Sequence, residues 1–101
     1  MEDNVIKIGP KALMSYCLVI NSKVLSGISE MTLKARGSNI QKAVDVSQAS
    51  INKFLPNYEV KRVSIGTDKF KLPETSNASF KNISWIEITV GMKKSLKDGL
   101  R

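Results

Sequence analysis

The stretch LKARGSNIQKAVD, Leu33–Asp45, changes period at its centre, and that change decides the fold. Upstream of it, ISEMTLKAR (Ile28–Arg36) alternates: Met31, Leu33 and Ala35 point one way and Thr32, Lys34 and Arg36 the other, the pattern of a strand with one buried face. Gly37 ends that strand. Ser38 or Asn39 is then suited to cap a helix, and Ile40, Ala43, Val44, Ser47, Ile51, Phe54 and Leu55 recur at helical spacing until Pro56 stops the run. The spacing predicts a helix of about four turns. A strand–glycine–helix junction turns unpaired backbone N–H groups and the positive end of a helix dipole toward one point. Lys34, Arg36 and Lys42 crowd the same point. The dipole repels cations, so their gathering makes better sense with a phosphate between them. The competing reading is that Gly37 merely permits a tight turn and the cations are solvated, since the stretch is neither a Walker nor a dinucleotide motif.

Working outward, NVIKIG (Asn4–Gly9) alternates and stops at glycine, as a short first strand does. From Lys11 the period becomes helical, with Leu13, Tyr16, Cys17, Ile20 and Val24 on one face, Ser15 and Ser22 opposite, Lys23 at the edge and Ser26–Gly27 as the stop. Beyond Pro56, Tyr58 and Val60 share one strand phase and Val63 and Ile65 the other, which predicts a bulge at Lys61–Arg62. The last strand covers ISWIEITVGM, with Ile86, Ile88, Val90 and Met92 facing the core and Ile83 and Trp85 on the opposite face. Pro73, Ser76 and Asn77 mark a turn between these two strands. Continued to that turn, residues Gly66 to Leu72 would project roughly 20 Å as an arm, at about 3.3 Å per residue. The arm spans about 66–82, and a short basic tail spans 93–101.

The order is therefore β-α-β-α-β-β. The expected fold class is α+β: a two-layer sandwich with a mixed four-stranded sheet, both helices on one face and an extended β-hairpin arm. At 101 residues the chain is expected to be one domain, 1–101. Its opposite sheet face carries Lys34, Arg36, Ile83 and Trp85 and must be wet or covered by a partner.

Composition narrows the function. A formal net charge of +7 and a pI near 9.7 favour a polyanionic partner, with a merely solvated basic surface as the alternative. The chain has no histidine, which removes the commonest general base and transition-metal ligand. Ser15 and Ser38 have no histidine base, Glu30, Glu59 and Glu87 are scattered, and Asp45 reads as a helix ion-pair partner of Lys42. No enzyme, cofactor or metal is expected. Cys17 is the lone cysteine and reads as a small buried hydrophobe in a reducing cytosol. The N-terminus is unlike a signal peptide, and no apolar run approaches the ~20 residues of a membrane span. In the arm, Lys69, Phe70, Lys71, Phe80 and Lys81 interleave cations with aromatics, as suits a ribbon lying along a nucleic-acid groove. Alternatively the two phenylalanines are a cross-strand pair that holds the hairpin together. Phe54 reads as core, with an exposed contact between subunits as the second reading.

VIKIGPKALMSYCLVI, LKARGSNIQKAVDV, NKFLPN and SIGT followed by WIEITV, in this order and spacing, resemble the Alba family of archaeal chromatin proteins, over about Asn4 to Val90. KARG with KAVD is the most specific part of the likeness. The resemblance implies a cytoplasmic, chromosome-associated dimer that binds double-stranded DNA, and often RNA, without marked sequence preference, coating, compacting or bridging it. It implies backbone contacts from the body and minor-groove contacts from two arms. Carried over by position, Lys11, Arg36, Gly37 and Lys42 match body contacts, and Phe54 matches an aromatic between neighbouring dimers. Lys34, Asn39, Lys53, Lys69, Lys71 and Lys81 complete the expected nucleic-acid-binding set. Two departures stand out. The family usually has adjacent lysines after the first strand, one of them acetylated, and here Pro10 precedes Lys11. Its second arginine after KARG is Ser38. Both losses point to weaker binding or to a divergent paralogue that forms heterodimers with a more typical member. The alternatives are a subunit of a ribonucleoprotein that binds RNA and, from another class, an adaptor that binds protein through Trp85.

Overall fold

Alternation at period two and recurrence at helical period translate directly into the elements of the computed structural model, which describes residues 4–73 and 79–93. The strands are β1 (Val5–Lys7), β2 (Glu30–Arg36), β3 (Tyr58–Lys71) and β4 (Phe80–Met92), and the helices are α1 (Leu13–Leu25) and α2 (Ile40–Ala49). The sheet order is β1-β2-β4-β3, with β1 parallel to β2 and the other pairs antiparallel. The fold is thus the expected mixed four-stranded α+β sandwich. Tyr16, Cys17 and Ile20 of α1 and Ala43 and Val46 of α2 join Leu33, Ile88 and Val90 of the sheet in one core, so both helices cover the same sheet face. Tyr58 closes the core's far end: its hydroxyl donates to the Ile28 carbonyl at 3.2 Å, and burial pushes its pKa up.

Neither Ser38 nor Asn39 caps α2. The chain passes instead through a 3-10 turn, Gly37–Asn39, entered by Gly37 at φ +55°. Asn39, in the capping position, has φ −88° and ψ −1°, and its side chain makes no capping hydrogen bond. A cap needs extended backbone there, and the 3-10 turn has already tightened it; the Ile40 N–H goes to the Gly37 carbonyl. At its other end α2 widens into a π-turn, Ser50–Phe54, in which the Leu55 N–H reaches the Ser50 carbonyl at 2.9 Å. The buried stripe of α2 is Ala43, Val46 and Ser47, while Val44, expected in the core, is 40% exposed. The chain after α2 buries Leu55 and leaves Phe54 39% exposed, so Phe54 is not a core residue.

The expected bulge is present, as the β3–β4 register steps from Val60↔Val90 to Arg62↔Thr89. It brings Val63 opposite Ile88 and Ile65 opposite Ile86, on the helix side of the sheet. The helices do not extend under this edge strand, however, and Val63 and Ile65 are 53% and 75% exposed. Pairing between β3 and β4 continues to Lys71↔Phe80, which builds the arm, and the Leu72 N–H donates to the Ser79 carbonyl at 3.0 Å. At the arm's base Trp85 lies across Gly66: a Cβ there would overlap the indole ring, so any larger residue would force the ring aside. The expected turn residues Ser76 and Asn77, and all but Lys93 of the basic tail, lie outside the described residues. Among the described residues no helix is long and apolar enough to cross a membrane.

Candidate nucleic-acid interface

The loop between β1 and α1 is held by two side chains. The Tyr16 hydroxyl accepts hydrogen bonds from the Gly9 N–H at 2.7 Å and the Lys11 N–H at 3.2 Å. The Lys42 ammonium donates to the Gly9 carbonyl at 2.7 Å and the Lys11 carbonyl at 2.8 Å. It also stands 6.0 Å from the centre of the Tyr16 ring. Lys42 therefore reaches from the first turn of α2 to the loop and not to Asp45, and among the described residues Asp45 has no ion-pair partner. The competing attraction of two carbonyls with their lone pairs directed at one ammonium outweighs a solvated helix pair. Lys11 is left exposed at the head of the loop.

Lys34 and Arg36 belong to the uncovered sheet face. Lys34 faces Glu87 across the β2–β4 register, with Nζ and Oε2 3.6 Å apart. Arg36 lies 3.5 Å from the Asp68 carboxylate, and its guanidinium stands over the Phe70 ring at 5.3 Å. Lys34, Glu87, Arg36 and Asp68, with Lys7, Asn39 and Trp85, line a shallow groove. The four acid and base side chains are 40% to 60% exposed, so each pair is worth about 0–1 kcal/mol and is screened by salt. A phosphate can therefore take either cation at little cost.

The cations gathered around Gly37 in the sequence thus separate: Lys34 and Arg36 line the sheet-face groove with Asn39, and Lys42 is drawn into the loop that carries Lys11. Gly37 itself needs its left-handed backbone; a Cβ there would meet nothing nearer than Ile83 Cγ2 at 4.0 Å. Lys53 sits in the π-turn, at the opposite end of α2 from Asn39. In the arm, Phe70 pairs with Lys81 and Phe80 with Lys71, so the two phenylalanines occupy opposite faces and are not the cross-strand pair considered above. Each instead sits under a cation, Phe70 under Arg36 and Phe80 under Lys69 at 5.3 Å. Sequence reasoning missed the Tyr16 hydroxyl and Asp68. The available signal for Tyr16 was a polar tip on an otherwise apolar helix face, since a buried hydroxyl finds a partner.

The Alba family model matches residues 4–67. "DNA/RNA-binding protein Alba 1" from Archaeoglobus fulgidus is 36% identical over 93 residues, 92% of this chain and 100% of that protein. "DNA/RNA-binding protein Alba" from Thermoplasma acidophilum is 33% identical over 89 residues, 88% of this chain and 96% of its own length. Among solved structures, Alba from Thermoplasma volcanium superposes with a TM-score of 0.76 at 31% identity, over 87% of this chain and 99% of that one. ALBA1 from Trypanosoma brucei shares the fold, with a TM-score of 0.68 at 18% identity, over 95% of this chain and 75% of its own.

Proposed function

The chain belongs to the Alba family, and on that premise we propose that it binds nucleic acid as a dimer, coating or bridging double-stranded DNA in the cytoplasm through phosphate and minor-groove contacts. Its role is binding and not catalysis. The observation that carries this reading is that Arg36 and Lys34 line the sheet-face groove, where their ion pairs are weak and exposed, while Lys11 stands exposed on the β1–α1 loop. Asn39 adds a polar group to the groove, and Lys69, Lys71 and Lys81 extend the positive surface along the arm. Such contacts position a protein on a duplex without reading its bases, so little sequence preference follows.

Replacing Arg36 by alanine is expected to weaken duplex binding roughly tenfold, the worth of a charge-assisted hydrogen bond, by similar factors on unrelated sequences. Fluorescence anisotropy on several duplexes checks this; a loss confined to one sequence would point to base readout and count against the mechanism. RNA as the physiological ligand is the second reading, favoured by the DNA/RNA names of the relatives. Competition between duplex DNA and structured RNA at equal salt separates the two.

A second copy of the chain, or a more typical paralogue, is the proposed cover for Val60, Val63 and Ile65, which form an exposed apolar row along edge strand β3. An uncovered apolar edge strand is a pairing hazard that a dimer removes. Val63→Asp combined with Ile65→Asp should convert dimer to monomer in sedimentation velocity. An unchanged dimer would place the interface elsewhere. Native mass spectrometry of a mixture with a typical member tests heterodimers.

A further inference from the structure

We propose that Tyr16 and Lys42 are positioning residues, a two-sided clamp that holds the β1–α1 loop so that Lys11 is presented to the polynucleotide, and that Lys42 serves binding chiefly this way and not as a phosphate contact. The proposal rests on the nucleic-acid reading above and assigns a different task to one of its residues. The backbone supports it first. Gly9 and Lys11 each offer one N–H and one carbonyl, and all four groups are satisfied by just two side-chain atoms, the Tyr16 hydroxyl oxygen and the Lys42 ammonium. Between them Pro10 has no N–H and a fixed φ, so it adds stiffness but no anchor of its own.

Donor arithmetic supports it second. An ammonium has three N–H donors, and Lys42 spends two on carbonyls, so at most one is left for any phosphate. The two halves of the clamp also brace each other, as the ammonium stands 6.0 Å from the Tyr16 ring centre while the same tyrosine's hydroxyl holds the N–H groups. Tyr16 is 7% exposed and Lys42 partly buried, whereas Lys11 is exposed. The buried tyrosine and the half-buried lysine thus anchor the loop, and the exposed cation is displayed. Released from the clamp, the loop gains backbone freedom, and Lys11 must be ordered again at the moment of binding.

Tyr16→Phe tests this without altering a charge. In the full-length protein it should abolish the hydrogen-exchange protection of the Gly9 and Lys11 amides and weaken duplex binding roughly tenfold, the cost of re-ordering about one residue. The salt dependence should keep its slope, because no counterion-releasing cation is lost. In a Lys11→Ala background the same substitution should change affinity less than about twofold, because a loop with no cation gains nothing from being held. Equal losses in both backgrounds, or unchanged amide protection, would overturn the proposal. If Tyr16→Phe lowers the thermal midpoint enough to obscure binding, Lys42→Met replaces it: it should release the same loop, while Lys42→Arg, which keeps charge and donors, restores most of the affinity. Were the unaltered protein to bind neither duplex nor RNA, the function reading would fail, and amide exchange would still decide on its own whether the clamp holds the loop.

Discussion

Raising salt about fourfold, from about 50 to about 200 mM, is expected to weaken duplex binding roughly 500-fold. Each neutralised phosphate releases condensed counterions and contributes a slope of about −0.9 in log affinity against log salt, so about five phosphates for the proposed dimer produce this change. Two or three cations per protomer suffice. Lys11 and Arg36 are the first two, because one is exposed at the loop head and the other is held by an exposed carboxylate 3.5 Å away and by the face of Phe70. An arm lysine is the third, since Lys69, Lys71 and Lys81 are all exposed along the hairpin. Lys42 adds little to the count, with its ammonium already bonded to two carbonyls. Titrations at several salt concentrations measure the slope directly. A slope near zero would mean that stacking or apolar contact holds the nucleic acid, moving attention to Trp85 on the uncovered sheet face.

Leu33→Ala is expected to cost about 2–5 kcal/mol of stability, the range for removing a buried leucine and leaving a cavity. Leu33 is 0% exposed and pairs with Ile6 on one side and Ile88 on the other, at the centre of the sheet beneath both helices. Its neighbours are held by strand hydrogen bonds and cannot collapse into the space, which places the expected cost in the upper part of that range. For a chain of this size a loss of about 4 kcal/mol lowers the thermal midpoint by roughly 20 °C. Calorimetry at equal protein concentrations checks it, because association of the proposed dimer would make the midpoint depend on concentration. A loss below about 1 kcal/mol would mean that the core repacks around Leu33, which close packing in a sheet centre does not allow.

Much of the fold was legible because burial writes a period into the chain. The alternation of Met31, Leu33 and Ala35 specified both the strand and its buried face, and all three are buried. Tyr16, Cys17 and Ile20 likewise marked the inner face of α1. Even the bulge was visible, since the phase of apolar residues slips between Val60 and Val63 and a β-ladder accommodates such a slip only with an extra residue. The candidate site was less legible. Its cations could be named, but local spacing pairs Lys42 with Asp45, whereas it bonds to Gly9 and Lys11, 33 and 31 positions away. Phe70 and Phe80 could be counted as a pair, yet whether they share a face depends on a one-residue register set by the whole hairpin.

The sequence by itself determined the elements, their order, which strand and α1 faces are apolar, and the excess of positive charge, because each is a local record of what must leave water and what must stay in it. Only the tertiary structure decided which cations are free and which are already engaged. Side-chain hydrogen bonds join residues distant in the chain, and the 3-10 entry and π-turn exit of α2 set angles that no residue pattern announces. Asn39 had the chemistry of a cap and never had the backbone for it. Tyr16 and Lys42 had the chemistry of a core aromatic and a surface cation until packing set them on opposite sides of one loop.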